Sequence, residues 1–200
     1  MMPTTISTTS INPPAGGNRQ RVAAWSIVEP PASRVVSPSL LRSHSRIDAD
    51  ATASGVSDDY LGMLIDAATT AAEDSMQTSL VPRTMQATFY DGQPIDLPRG
   101  PVISITRITD ANDAEVTEYQ LVNIGNITRI KLKCDTAYPV TAIYRAGYPS
   151  AVPADTSLAI LTHAASMYEN RESISDRTKV PVPHALEMFY CAKRRDTGVA

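Results

Sequence analysis

The amino-acid sequence predicts an α+β fold, a small helical bundle that carries an inserted antiparallel β module. Four observations support this prediction. Apolar residues recur at three- and four-residue steps over 58–79, as on one face of a helix. From 84 to 148 the pattern changes to short runs rich in β-branched and aromatic residues, separated by turn signals. Helical spacing returns after Pro153, and the low aromatic share of 6% favours an aliphatic, alanine-rich core.

Helices are expected near 39–45, 58–79, 153–171 and 183–195. The second has the clearest pattern. Ser57 or Asp58 can cap its N-terminus, Asp58 and Asp59 complement the positive end of its dipole, and Pro82 stops it. Its alanines permit the close approach of another helix.

Strands are expected at 86–90, 102–109, 118–122, 129–133 and 140–148, which together make a β module of about 84–148. Turns such as Asp91-Gly92 and Gly125-Asn126 separate them. Residues 22–28 are short and apolar and can be extended. Residues 1–20 are rich in Thr, Ser, Pro and Gly and predict a mobile arm, so that 21–200 form one domain.

Composition narrows the class of protein. No run reaches the roughly 18 apolar residues of a membrane span, and the N-terminus lacks an apolar signal core, so no membrane association is expected. Cys134 and Cys191 lie far apart without the spacing of a metal site or a disulfide framework. Reduced, cytoplasmic folding is therefore expected.

The net charge of −3 is too small to predict a bulk nucleic-acid binder, but its distribution is uneven. Residues 1–46 carry five basic residues and one acid, whereas 47–82 carry seven acids and no basic residue. Such a split can draw one subunit onto its neighbour. The candidates for a subunit interface are Arg42, Arg46, Asp58, Asp59 and Asp66. The alternative is a solvated acidic helix face.

Residue patterns typical of catalysis are missing from the sequence. His44, His163 and His184 lie in separate elements, and none has a carboxylate or cysteine at metal-ligand spacing. His163 is interpreted as a packing or capping residue. Paired acids such as Asp48 and Asp50 are interpreted as caps and turns. We therefore expect no catalytic residue, no metal site and no cofactor.

Two groups of basic residues are candidates for contact with a partner or with DNA. Arg129, Lys131 and Lys133 alternate along one predicted strand, so all three face the same way and could meet a DNA backbone or an acidic partner. An exposed face kept soluble by basic residues is the equal alternative. The run at 193–195, Lys193, Arg194 and Arg195, has the same ambiguity, with a helix-end role favoured.

The order of short motifs resembles the head–tail connector family of long-tailed phages and gene-transfer agents. Residues 40–48 (LLRSHSRID) resemble the family's LK.HLRID, and 58–68 (DDYLGMLIDAA) resemble D.YL..LI.AA. Residues 97–102 (LPRGPV), 144–148 (YRAGY) and 152–172 are similar to LP.GPV.SV, Y.AGY and VP..L..AI..L..H.Y.NRE, and IVEPP at 27–31 is similar to the strand and proline pair before the first helix. The likeness covers about 22–172. Arg42 and Ser45 depart from it.

The resemblance implies a structural, non-enzymatic virion protein. Members form a dodecameric ring under the portal vertex and present a surface to the stopper or tail terminator, while double-stranded DNA passes through the lumen. It also implies a place at the head–tail interface and host cytoplasm as the site of assembly. The C-terminal helix (183–195), beyond the region of likeness, is a candidate for a segment that docks on the portal.

Three alternatives remain open. A stopper or tail-completion protein would be a shorter, β-barrel-like chain, which the flanking helices disfavour. A small enzyme of unknown type lacks a catalytic constellation. A helix-turn-helix regulator would need a basic recognition helix, whereas the helix at 58–79 has no basic residue.

Overall fold

The computed structural model describes residues 22–47, 56–90, 94–125, 127–133, 135–170 and 183–195. The expected arm at 1–20 lies outside these residues. The chain divides into two compact units. The β unit is drawn from Met1–Ala32, Pro82–Pro149 and Arg195–Ala200, and the helical unit from Ser33–Val81 and Ser150–Arg194. The predicted α+β class is confirmed.

The β unit contains two antiparallel sheets. Its strands are β1 (Val22–Glu29), β2 (Arg83–Phe89), β3 (Ile95–Asp96), β4 (Val102–Thr109), β5 (Tyr119–Ile124), β6 (Ile127–Leu132) and β7 (Val140–Ala146). One sheet has the order β1-β2-β7-β4 and the other the order β3-β6-β5.

Two strands differ from the sequence prediction. β1, expected only as an extended segment outside the module at 84–148, joins the larger sheet and pairs antiparallel with β2, from Val22 opposite Phe89 to Glu29 opposite Thr84. β3 was not predicted, because two residues are too few to display a period.

One hydrophobic core is built from both sheets of the β unit. Along β7, every second side chain is buried, from Val140 to Ala146, and Tyr144 is completely covered. Phe89 from β2 and Ile130 from β6 contribute to the same core. The period-2 alternation predicted for these strands is therefore what places the core on one face of each sheet.

The helical unit contains α1 (Pro38–His44), α2 (Asp58–Met76), α3 (Ala154–Glu169) and α4 (Pro183–Ala192). Among the described helices, none has both the length and the apolar character that crossing a membrane requires. α2 packs against α1, α3 and α4. Its buried stripe includes Leu61, Ile65, Ala68 and Ala72, and the small alanines allow α3 to approach closely.

Capping residues define the ends of the helices. Ser37 and Ser57 precede α1 and α2, and each hydroxyl accepts a hydrogen bond from the backbone N–H three residues later. α2 ends at Met76, whereas 79 was predicted, because Gln77 adopts a left-handed conformation with φ 53°. Four predicted helices are thus present, with slightly different ends.

Glu73 is a buried acid near the end of α2. It is 7% exposed, and its Oε1 accepts a hydrogen bond of 2.7 Å from the backbone N–H of Leu80. This contact holds the chain that leaves the helix, since Leu80 and Val81 are also buried.

Replacing Glu73 by Ala should lower the free energy of unfolding by about 1–3 kcal/mol, because the buried N–H of Leu80 loses its acceptor. Urea denaturation followed by circular dichroism measures this change. Glu73→Gln keeps an acceptor oxygen and should cost less. Equal losses in the two variants would contradict the role assigned to the hydrogen bond.

Candidate interaction surfaces

The basic stripe predicted on β6 lies on one face, as expected from its alternation. Thr128, Ile130 and Leu132 are buried, whereas Arg129 is half-buried and Lys131 is exposed. Lys133, just beyond the strand, is also exposed. The three basic residues differ in how they are held.

Arg129 is committed to an ion pair within the β unit. Its Nε and Nη2 donate to the two carboxylate oxygens of Asp96, at 2.6 and 2.9 Å. The side chains are 28% and 17% exposed, so the pair is partly shielded from water. The Asp96 hydrogen bonds and negative charge raise the pKa of Arg129. The pair joins β3 to β6, and its guanidinium fork is occupied.

Lys131 and Lys133 are the more accessible part of the stripe. Lys133 Nζ donates to Glu118 at 2.9 Å, but both side chains are largely exposed, at 63% and 72%. A surface pair of this kind is weak and can exchange partners. Glu118, Lys131 and Lys133 line an open depression of about 640 Å³.

The three basic residues at 193–195 have three different environments. Lys193 forms an ion pair with Asp155 at the start of α3 and lies over the ring of Phe189. The hydrogen bond that Lys193 donates to the Asp155 carboxylate lowers the pKa of Asp155. Arg194 is exposed. Arg195 is only 2% exposed and donates to the backbone oxygen of Leu97, and burial lowers its pKa.

Of the five predicted interface residues in the helical unit, Arg42 and Asp58 pair with each other within one chain. Arg42 Nη2 donates to Asp58 at 2.6 Å and to the backbone oxygen of Val56 at 3.0 Å. Asp59 and Arg46 are exposed.

Arg34 forms a bidentate ion pair with Asp66, in which its Nε and Nη2 donate to the two carboxylate oxygens at 2.8 and 2.9 Å. The pairing raises the pKa of Arg34. Gly62 makes this possible, because a Cβ on Gly62 would lie 3.0 Å from the guanidinium carbon of Arg34. The absence of a side chain therefore lets Arg34 lie across α2 on its way to Asp66.

The described histidines do not form a catalytic or metal-binding group. His163 on α3 is half-buried, with its ring centroid 6.2 Å from that of Tyr190, as a packing residue would be. Burial lowers the pKa of His163 and raises that of Tyr190 to about 12. His44 is exposed, and the side chain of His184 lies outside the described residues. Across the described ranges, no three His, Cys, Asp or Glu residues come together as metal ligands.

Sequence reasoning missed two polar residues that help to organise the β unit. Asp96 pairs with Arg129, and Arg99, which is 5% exposed, lies with its guanidinium carbon 4.8 Å from the ring centroid of Trp25. For Asp96, the available signal in the sequence was a single acid between two apolar residues, Ile95 and Leu97, which are both buried in the structure. The second depends on a contact between distant parts of the chain, which no local pattern encodes.

Chains from three solved structures of gene transfer agent (GTA) particles share this fold. One, from the neck of an empty GTA particle computed with C6 symmetry, is 24% identical with a TM-score of 0.65. A chain of the native GTA virion is 23% identical (TM-score 0.62), and one from the neck of the native particle computed with C12 symmetry is 21% identical (TM-score 0.58). Each alignment covers 86% of this chain and 99% of the other.

No protein-family model matches the sequence, and no curated protein matches it significantly. The likeness to the GTA chains extends over almost their whole length, so both units take part in it. The resemblance to the connector family drawn from the sequence motifs is therefore confirmed at the level of the fold, which is that of chains in the GTA neck.

Removing Asp96 should destabilise the β unit much more than removing Glu118. Asp96→Ala leaves a partly buried guanidinium unpaired and should cost about 1–3 kcal/mol. Glu118→Ala breaks only an exposed pair and should cost about 0–1 kcal/mol. Denaturant unfolding of the two variants measures the difference. Similar losses would contradict the structural role of the Asp96–Arg129 pair.

Stability should fall as the pH drops below the usual histidine pKa of about 6.5. Because burial lowers the pKa of His163 in the folded chain, the unfolded chain takes up the proton first and gains stability relative to the folded one. Urea denaturation at about pH 7.5 and about pH 5.5 measures the loss. His163→Phe should reduce this dependence. An unchanged dependence in His163→Phe would overturn the assignment.

Proposed function

We propose that this chain is a structural head–tail connector, or adaptor, in the neck of a tailed phage or gene-transfer agent. Copies of it form a ring between the portal vertex and the stopper or tail, and the genome passes through the lumen. The observation that carries the proposal is the fold shared with chains of GTA necks over 99% of their length. The five sequence motifs in connector order agree with it.

A ring requires two different surfaces on each copy, so that one face meets the other on its neighbour. The similar chains come from neck structures computed with C6 and C12 symmetry, which describe assemblies of repeated chains. A ring of twelve copies of this chain would be consistent with the C12 symmetry. The partners we propose are the portal protein, the stopper or tail terminator, and further copies of the chain. We propose no enzymatic activity and no membrane contact.

The contacts of the basic residues refine the proposed surfaces. Lys131 and Arg194 are exposed and are the strongest candidates for meeting DNA or an acidic partner. Lys133 and Lys193 can contribute if they exchange their present acid partners. Arg129 and Arg195 are held inside the β unit and act there as structural residues. Of the interface candidates, Asp59 and Arg46 are exposed and better placed than the paired Arg42, Asp58 and Asp66.

The adaptor role is favoured over that of a stopper by the helical unit. In it, α2 packs against the other described helices, which is unlike the shorter β-barrel-like chain expected of a stopper.

Particles made without this chain should contain DNA-filled heads that lack tails. Electron microscopy of the particles, with the wild-type gene restored in trans as control, tests this expectation. Normal tailed particles would overturn it. Mass spectrometry of the purified heads separates the two roles. If this chain is the adaptor, heads made without it should retain the portal but lack the stopper. If it is the stopper, they should retain both the portal and a different protein that serves as adaptor.

A further inference from the structure

β5 is an edge strand that lacks the usual protection against pairing. Among the described strands it is hydrogen-bonded only to β6. Its six residues, YQLVNI, include no charged residue and no proline. All six pair with β6, from Tyr119 opposite Leu132 to Ile124 opposite Ile127, without a register shift. A regular, uncharged edge of this kind is a template for a further strand.

The other described edges are better protected. β1 and β4 each show two register shifts against their neighbours, and these irregularities bend an edge away from a partner. β1 ends in Glu29, and β4 carries the exposed Arg107. β3 has only two residues. The lack of protection is therefore particular to β5 among them.

The hydrophobic face of the smaller sheet continues to the β5 edge without cover. Ile95, Ile130 and Leu121 stand side by side across β3, β6 and β5. The first two are 1% exposed, whereas Leu121 is 49% exposed. A further strand beside β5 would extend this row and cover Leu121.

The chain itself contains a segment suited to that place. Six of the eight residues at 4–11 (TTISTTSI) are β-branched, and none is charged or proline. Residues 12–21 separate this segment from β1 and can span about 33–36 Å when extended. A sequence that is β-forming but has little of its own to bury is suited to completing another sheet.

We propose that residues 4–11 of one copy pair with β5 of a neighbouring copy as an added strand. This inference rests on the proposed ring, because an arm and an edge strand are the two different surfaces that a ring needs. Backbone hydrogen bonds supply the pairing, and an isoleucine of the arm covers Leu121. The β5 edge and residues 4–11 are together the subunit contact.

A photocrosslinking experiment tests the contact and identifies the copy that supplies the arm. Two forms of the chain are produced together during particle assembly. One lacks residues 4–11 and carries a benzophenone amino acid in place of Leu121, and the other has the wild-type sequence. Mass spectrometry should find the probe joined to residues 4–11, which only the other copy can supply. The same probe in place of Ile103, at the β4 edge and 37% exposed, should not reach the arm.

Three results of this experiment would overturn the inference. The probe at 121 could join β5 of a second copy or another particle protein. The probe, placed in a second run on the full-length chain, could join the arm there and not in the mixed assembly, which would mean that the arm folds back onto its own chain. It could also give no product with the arm in tailed particles.

Two variants test whether the contact is needed for assembly. Deletion of 4–11 and Leu121→Lys should each reduce the yield of tailed particles by at least about tenfold, because each removes one side of the proposed strand pairing. The double variant should be no worse than either alone. Ile103→Lys is the matched control and should have little effect. Circular dichroism of the purified variants checks that they fold.

The failure of this inference is distinct from the failure of the proposed function. The chain's absence could give tailless heads while the 4–11 deletion gives normal tails. These two results together would contradict only the arm contact. Normal tails in the complete absence of the chain would remove the connector role itself.

Discussion

The alternation of β7 is the constraint on which the β unit depends. β7 pairs with β2 on one side and β4 on the other, so its register determines which faces of both neighbours point inward. Because the side-chain period is 2, a slip of one residue would turn Tyr144 and Ala142 towards solvent and bring Arg145 into the core. Tyr144 is completely buried, which raises its pKa, so a change of register would expose the largest side chain of this core.

Ion pairs within the helical unit reduce the charge that its surface presents to a neighbouring chain. Part of the uneven distribution of acids and bases along the sequence is balanced within the chain, where Arg34 pairs with Asp66 and Arg42 with Asp58. These pairs connect the segment before α2 to the helix and neutralise charges that could otherwise steer a neighbour. In the ring that we propose, subunit recognition therefore depends on strand pairing and apolar cover more than on complementary charge, since exposed ion pairs contribute little.

Much of the fold could be predicted because its signals are local. Ser57 and the aspartates after it mark the start of α2, and the apolar spacing marks its buried face. The membership of β1 in a sheet could not be predicted, since its partner strand lies more than fifty residues further along the chain and only the antiparallel pairing itself reveals it. Likewise, a basic run at 193–195 indicates a solvated helix end, and nothing local distinguishes the buried Arg195 from the exposed Arg194.

The surfaces were harder to predict than the core for a physical reason. A buried position is specified by its own chain, so its residue type carries the information. An edge such as β5 is recognisable only by contrast, because a row that is covered at Ile95 and Ile130 stays half-exposed at Leu121. The sequence around Leu121 is ordinary for a strand, and it becomes informative only when the strand is known to be last in its sheet. An uncovered end of a well-packed row is what a sheet completed by a neighbour would leave in the isolated chain.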